Sequence, residues 1–466
     1  MIEVITRPTI VLKELSIDYD ETLQDSGADE YAETLGLYPY LQIGNIVIQT
    51  NDTIKIILYN NHFLPKVEVH FKDPTFRLID PLFPTDNEIL SIFIQSNSEI
   101  LMPVRMDFKI IEFNVNKNKS DDNQELTYVL IGILNVNPLY FTPFISYKGT
   151  SYTVLKKISI DCELGFASNI NDTNDEMVWI NGSSPTLEFV QEIVQYSYKS
   201  DESFMYAYVD FYYNLNYVDI ETALNEDISE QTGVMASSNI IKGDNEPLSN
   251  LILTDHPDKS NSNLYINKYN LINSSTKVNL QIGYATFISY YDMNNNTFYK
   301  FKLETISTTS SNGNQIILKG NINELVDLNN ITTRGIMGRL DTDNVHPNFL
   351  YAEQQNSKNL NFLQKVKIKI SLKLMNFNLY RFQKIMIKFY KLSELHDDDK
   401  PVVVNEDTIK NPQNIDYDEK RLNQRLTGEW LITAINYNFN RIGGFSQDIT
   451  LVKRELGFND EDFNKI

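Results

Sequence analysis

Between Lys365 and Leu374 the chain alternates without a break, with Val366, Ile368, Ile370, Leu372 and Leu374 set against Lys365, Lys367, Lys369, Ser371 and Lys373. A period of two puts successive side chains on opposite sides of an extended backbone, a pattern that a 3.6-residue helical turn cannot hold on two clean faces. The segment is therefore a strand with one apolar face for a core and one basic face for water or a partner. Its register is strongly constrained, because a slip of one residue would bury every lysine. Any fold of this chain must contain a sheet with one covered face.

The rest of the sequence builds around that demand. Short β-branched runs, Ile46–Ile48, Ile54–Tyr59, Val67–Phe71, Ile89–Ile94 and Phe108–Phe113, are separated by Asn, Asp and Pro, and a polar turn at 116–123 leads into Leu126–Leu134 as a long hairpin. Near the other end, Ile385–Tyr390 is followed by Trp430–Phe439, a turn at 441–444 and Phe445–Lys453, again short strands followed by a long hairpin. The shared design predicts two copies of a related β-barrel. Between them, small capping residues at Gly149-Thr150-Ser151 and the Ser184-Pro185-Thr186 start predict helices over about 151–160 and 186–199, followed by strands at Phe204–Phe211 and Leu215–Ile220. Residues 221–250 read as a polar connector. Leu251–Leu253, Leu280–Tyr291, Phe298–Ile306 and Ile316–Leu318 read as a further small β unit, and 396–425 as an exposed loop. With 466 residues the chain is expected to divide into 1–145 (first barrel), 146–220 (α/β insertion), 221–335 (linker plus small β domain) and 336–466 (second barrel). The fold class expected is mainly β with α+β insertions.

The chemistry of the chain is sparse. A formal charge of −21, from 41 basic and 62 acidic residues, sets the surface against phosphate backbones, which excludes general nucleic-acid binding. No stretch approaches the ~20 apolar residues of a spanning helix, and the N-terminus lacks a leader pattern, so neither export by that route nor stable membrane insertion is expected. Cys162, the single cysteine, permits no internal disulfide, which fits assembly in a reducing cytoplasm. Flanked by Asp161 and Glu163, it reads as packing and not as a nucleophile. His62, His70, His256, His346 and His396 have no metal-ligand spacing and are expected in loops or interfaces. The acidic run Asp172–Glu176 carries oxygen ligands suited to calcium but lacks the EF-hand spacing, and a solvated turn is the expectation. Asp210, a lone carboxylate in an aromatic strand, is expected to be hydrogen-bonded and not to act as a general acid. No phosphate-binding Gly loop or nucleophile elbow occurs. No catalytic residue, cofactor or metal is expected. Two readings stand for Lys365, Lys367, Lys369 and Lys373: a protected sheet edge, or a surface that lines a channel or meets an acidic partner.

Three stretches carry a family resemblance. They are Gly149-Thr150-Ser151-Tyr152 running on to Leu164-Gly165-Phe166-Ala167-Ser168-Asn169 and Met177-Val178-Trp179-Ile180; Asp201-Glu202-Ser203-Phe204 with Val209-Asp210-Phe211-Tyr212-Tyr213-Asn214; and Gly428-Glu429-Trp430-Leu431-Ile432 with Ile449-Thr450-Leu451-Val452-Lys453-Arg454. Together with Asn344-Val345-His346-Pro347 and Gln355-Asn356, they resemble the central baseplate hub proteins of T-even-like contractile-tailed phages and the wider tail group related to late control protein D. The resemblance implies tube-type β-barrels and a homotrimer round a channel. It implies the central spike and the tail tube as partners, with the tape-measure protein and the baseplate wedge as further candidates and DNA only in passage. The place implied is the virion tail baseplate, assembled in the bacterial cytoplasm. The alternatives from other classes are a tail-associated glycan-degrading enzyme and a receptor- or carbohydrate-binding tail module.

Overall fold

The computed structural model describes residues 38–74, 88–95, 104–119, 124–225, 252–256, 264–274, 286–303, 332–335, 345–373, 379–390 and 422–454, a few positions within these ranges excepted. The chain is mainly antiparallel β, as expected. Its first part supplies β1 (Tyr38–Ile43), β2 (Ile46–Ile48), β3 (Thr53–Asn60), β4 (Lys66–Asp73), β5 (Ile89–Gln95), β6 (Val104–Lys119) and β7 (Gln124–Leu134). An α/β segment follows, with β8 (Ile145–Gly149), α1 (Ser151–Asp161), β9 (Gly165–Ser168), β10 (Met177–Asn181), α2 (Thr186–Tyr196), β11 (Met205–Val209), β12 (Asn214–Asp219) and α3 (Ile220–Asn225). The remainder adds β13 (Ile252–Thr254), β14 (Ile266–Asn273), β15 (Thr286–Asp292), β16 (Thr297–Leu303), β17 (Thr332–Gly335), α4 (Phe349–Leu363), β18 (Val366–Leu372), β19 (Lys384–Lys388), β20 (Gly428–Asn440) and β21 (Gly444–Lys453).

One large sheet joins both ends of the chain, in the order β14-β18-β21-β20-β3-β4-β7-β6-β5-β1-β2, with β19 beside β20 and β13 beside β19. The alternating segment is its strand β18, where Val366, Ile368, Ile370 and Leu372 are each at most 1% exposed. Burying side chains of this size stabilises by about 1.5–3 kcal/mol each, which is why the pattern dictates the register.

The strand order repeats within this sheet. In the first part the path runs β3-β4-β7-β6-β5, and in the second it runs β14-β18-β21-β20-β19, every neighbour antiparallel. The irregularities repeat as well. The β6·β7 ladder shifts between Ile110 and Glu112, and the β20·β21 ladder between Ile432 and Ala434. The β3·β4 ladder shifts after Thr53, opposite Phe71, and the β14·β18 ladder after Ile266, opposite Leu372. Counting from one shift to the other, Gly132 opposite Val67 corresponds to Leu451 opposite Ile368, so both ladders agree residue by residue. Bulges are designed features that set local twist, and two in matching register mark one unit built twice. The two units meet edge to edge where β3 pairs β20, from Asn60 opposite Ile435 to Lys55 opposite Asn440.

Several elements depart from the sequence expectation. The connector reading of 221–250 begins inside α3, where Glu221 is buried and ion-paired to Arg454. At Glu221 the polarity reflects a buried pair and not exposure, and 226–250 lie outside the described residues. Leu251–Leu253, read as part of the small β unit, overlaps β13, which with β14 pairs into the large sheet, whereas β15, β16 and β17 form a separate sheet. Helix α4 was not anticipated, since its Asn- and Gln-rich sequence has little amphipathic contrast. Leu422, at the end of the segment read as an exposed loop, is buried and bridges to Tyr390; the rest of 396–421 and Ile316–Leu318 lie outside the described residues.

The α/β segment packs on the sheet through Phe204, Tyr208, Val218, Phe382, Leu431 and Val452. Beneath it Lys453 is 2% exposed, its ammonium 5.4 Å from the Trp430 ring centroid and without a hydrogen-bond partner among the described residues. Burial pulls its pKa down to about 8, with Glu429 pulling the other way. An unfolded lysine holds its proton to about pH 10.4, so between these values the unfolded chain carries more protons and stability rises with pH; below about 8 the whole penalty stands. The Lys453→Met variant is expected to unfold at higher denaturant than wild type at neutral pH, by about 2 kcal/mol, with the gap narrowing above about pH 8. Paired unfolding curves across that range check this, and a gap independent of pH excludes the buried charge as its cause.

Candidate partner and channel surface

The predicted basic stripe divides in the structure. Lys369 and Lys373 are exposed, while Lys367 is half-buried, its Nζ donating to Gln364 Oε1 at 3.0 Å. Burial, and then Lys369 beside it, lowers the Lys367 pKa. Lys365 precedes β18 and is only 8% exposed, its carbonyl accepting from the Ser274 backbone at 2.8 Å.

From Lys369 the register carries a continuous polar face across the junction of the two repeats. Lys369 lies opposite Thr450, Asp448 opposite Asn436, Ser446 opposite Asn438, and Asn436 and Asn438 opposite Tyr59 and Ile57. Asn438 Nδ2 donates to Asp448 Oδ2 at 2.8 Å. Beyond it Tyr59 donates to Glu68 at 2.9 Å, and His70 Nε2 lies 2.6 Å from the other Glu68 oxygen. Burial pushes Glu68 up, but the hydrogen bonds from His70 and Tyr59 outweigh it and hold the carboxylate below its usual range; Tyr59 is pushed up to about 12 by burial and the same bond. An open hollow of ≈ 360 Å³ lies here, lined by Lys55, Tyr59, Asn436, Asn438, Asn440 and Asp448 among others. Amides, hydroxyls and paired charges can bind a polar chain reversibly.

The other candidates resolve as architecture. The acidic run is a solvated turn only in part: Asp172, Asn174 and Glu176 are exposed, but Asp175 is fully buried, its Oδ1 accepting from Ser151 N (2.8 Å) and Thr173 Oγ1 (2.7 Å) and its Oδ2 from Tyr198 N (2.8 Å). Ser151 is the first residue of α1, so the carboxylate caps a helix start where the dipole favours it. Asp172 accepts from Thr150 Oγ1 at 2.7 Å. Among the described residues no group of acidic, histidine and cysteine side chains could hold a metal. Asp210 is hydrogen-bonded as expected, its carboxylate accepting from the Tyr212 and Asn214 backbone and from the Asn214 and Asn216 amides at 2.9–3.2 Å. It fixes the turn in which Tyr213 adopts a φ of 61°. Cys162 is buried, and burial followed by Asp161 pushes its thiol up to about 12.

His346 lies in a loop, one of the two places expected, but it is buried inside the chain. It is 2% exposed, with Nε2 2.9 Å from the Tyr196 carbonyl and rings of Trp179, Tyr198 and Phe349 around it, and burial lowers its pKa. Beside it Asn356 donates to three carbonyls of the α2 end and accepts from Met205 N. Sequence reasoning also missed the exposed apolar side chains of this segment, Phe141 at 63%, Phe144 at 84% and Ile180 at 64%. Only the high aromatic content hinted at them.

No family model matches the chain, and no curated sequence does. Among solved structures, it is similar to a tail protein from Neisseria meningitidis, at 10% identity and a TM-score of 0.48, over 90% of this chain and 96% of that one. The 43 kDa tail protein of prophage MuSo2 from Shewanella oneidensis gives 10% identity and a TM-score of 0.47, over 90% and 98%. An E. coli component of the type VI secretion system gives 10% and 0.41, over 90% and 78%.

The Asp175→Asn variant turns an amide N–H toward donors that now face a carboxylate. Unfolding titrations are expected to show a loss of about 2–3 kcal/mol, with calcium leaving the wild-type midpoint unchanged. A calcium-dependent rise of the wild-type midpoint would make the loop a ligand site.

Proposed function

We propose that this chain is a structural subunit of a phage-tail-type injection device, a hub that joins the tail tube to the central spike and seeds the first tube ring. The observation that carries this reading is the duplicated, identically bulged sheet unit, joined edge to edge within one chain. A subunit with two like units presents six of them when three copies assemble, which is how a threefold spike can meet a sixfold tube. The sequence resemblance to baseplate hub proteins supports the same reading. So does the chemistry: Asp175, Asp210 and Asn356 are spent on backbone and side-chain groups of the α/β segment, and no residue is assigned a catalytic role. Lys369 and Lys373, on or beside the open polar face, are proposed to face the channel or an acidic neighbour, where their effect weakens as salt rises. Phe141, Phe144 and Ile180 are proposed as anchors for a spike or wedge protein.

Light scattering of the full chain, with negative-stain images, tests this. The expected result is a particle of about three times the 54.0 kDa of one chain, ring-shaped with a central opening. A particle without a channel that instead cleaves or retains cell-wall glycans would overturn the reading in favour of an enzyme or a carbohydrate-binding module.

A further inference from the structure

Helix α4 is held by polar groups more than by apolar area. Among the described side chains of its middle turns, the buried ones are Ala352, Gln355 and Asn356. Gln355 donates to the carbonyls of Ser200 and Ser203 at 3.2 and 2.7 Å, and Asn356 to those of Val194, Gln195 and Ser197 at 2.9–3.2 Å. All five carbonyls belong to the stretch between the end of α2 and β11. A further clamp of the same kind stands just ahead of the helix, where His346 donates through Nε2 to the Tyr196 carbonyl at 2.9 Å. A carbonyl only accepts, so this bond fixes the tautomer with its hydrogen on Nε2 and leaves Nδ1 as a bare lone pair. That Nδ1 is buried and has no hydrogen-bond partner among the described residues.

A neutral imidazole tolerates such a site, but an imidazolium does not. Its second N–H would be a buried donor with nothing to accept it, and its charge would sit away from water. The surroundings come from three elements: Trp179 of β10, Tyr198 beyond α2 and Phe349 of α4, with ring centroids 5.8–6.5 Å away. Asp175, ahead of β10, favours the proton, but its oxygens are engaged by Ser151, Thr173 and Tyr198. Further out, Glu192 and Glu353 act on Tyr196, Tyr351 packs on Tyr198, and Asp201 accepts from the Tyr198 hydroxyl at 2.6 Å. Burial outweighs the Tyr196 carbonyl and Asp175, and the imidazole pKa lies below the ordinary 6.5.

We infer that His346 is a proton-operated latch: when it takes up a proton, the segment from His346 through α4 lets go of the end of α2, and it docks again when the proton leaves. Because α4 ends at Leu363 and β18 begins at Val366, release undoes one tie between the α/β segment and the second repeat. The apolar packing of Phe204, Phe382 and Leu431 stays in place as the other. In the released segment the imidazole titrates near 6.5 and in the docked one lower, so between these values the released form binds more protons. Docking is therefore complete above that range and weakens as pH falls through it, by up to about tenfold in the opening constant per pH unit. Glu192 acts in the opposite direction: burial raises its carboxyl, so its protonation favours the docked form.

Hydrogen–deuterium exchange of the full chain, read by mass spectrometry at about pH 7.5, 6.5 and 5.5 and corrected for intrinsic exchange, tests the latch. Protection of peptides covering 346–363 and 194–203 is expected to fall about fivefold or more between the highest and lowest pH, while a β7 peptide covering 126–134 stays constant. His346→Gln keeps a donor for the Tyr196 carbonyl but takes up no proton, and its protection should not change with pH. His346→Asn serves the same purpose where the longer amide does not fit. His62→Gln removes the other imidazole that burial lowers and should behave as wild type. Constant protection in the wild type would overturn the latch, as would a fall shared equally by the β7 peptide. A fall that persists in the His346 variants would overturn it in favour of the surrounding carboxylates, and one that disappears in His62→Gln would move it to that residue.

Discussion

The β3·β20 pairing is the contact on which the rest of the molecule depends. Its partners are separated by most of the chain, Asn60 opposite Ile435, so the ordering cost of bringing them together must be met by what the junction buries. The burial is considerable: Ile56, Leu58, Ile435, Tyr437 and Phe439 are all at most 7% exposed across the junction. Without that ladder the chain would be two separate sheets. With it, the polar faces of both repeats become one surface, and the α/β segment gains a platform that spans them.

The α/β segment has an apolar core of its own, with Leu155, Phe166, Trp179 and Ile193 buried, and it is also tied down by polar groups. Asp175, Asn356, Gln355 and Arg381 each hold backbone or side-chain groups from distant stretches. Arg381 donates to the carbonyls of Thr433 (2.8 Å) and His62 (2.7 Å) while its guanidinium lies 4.3 Å from the Tyr208 ring. These three groups come from three parts of the chain, so one arginine ties the segment to both repeats. Such networks are costly when half-made and fix a single arrangement when complete. That fits a part whose task is to hold geometry.

What was legible in the sequence follows from the same physics. Period-two alternation is a local property, so β18, the β6·β7 and β20·β21 hairpins and the short strands between them could be placed closely, and the likeness of the two ends could be seen. Helices α1 and α2 announced themselves through caps at Thr150 and Pro185. Interiors made of polar residues were not legible, because burial of Asp175, Glu221, Asn356 or Lys365 is decided by partners far away in sequence. Nor was β14: its strand, Ile266–Asn273, shows little alternation, since neither face is fully covered in the single chain. The basic stripe was visible as a pattern, but which lysines are exposed depends on what packs over each, as at Lys365, whose carbonyl is bonded by Ser274 of a distant stretch, and no local signal reports that.

The two edges of the repeat differ in a way that suits an assembly. At the internal junction the apolar positions of β20 are Tyr437 and Phe439, and both are buried. At the matching places β6 carries Val115 and Lys117. Replacing two aromatic side chains by a smaller apolar one and a charged one removes a large part of the area that makes the internal joint close during folding. It also leaves the outer edge soluble, since lysine on an edge opposes indiscriminate pairing. The internal joint is therefore built to close once and stay closed. The corresponding stretch of β6 keeps the asparagine row, with Asn114, Asn116 and Lys117 exposed, and so carries less apolar area to drive any pairing of its own.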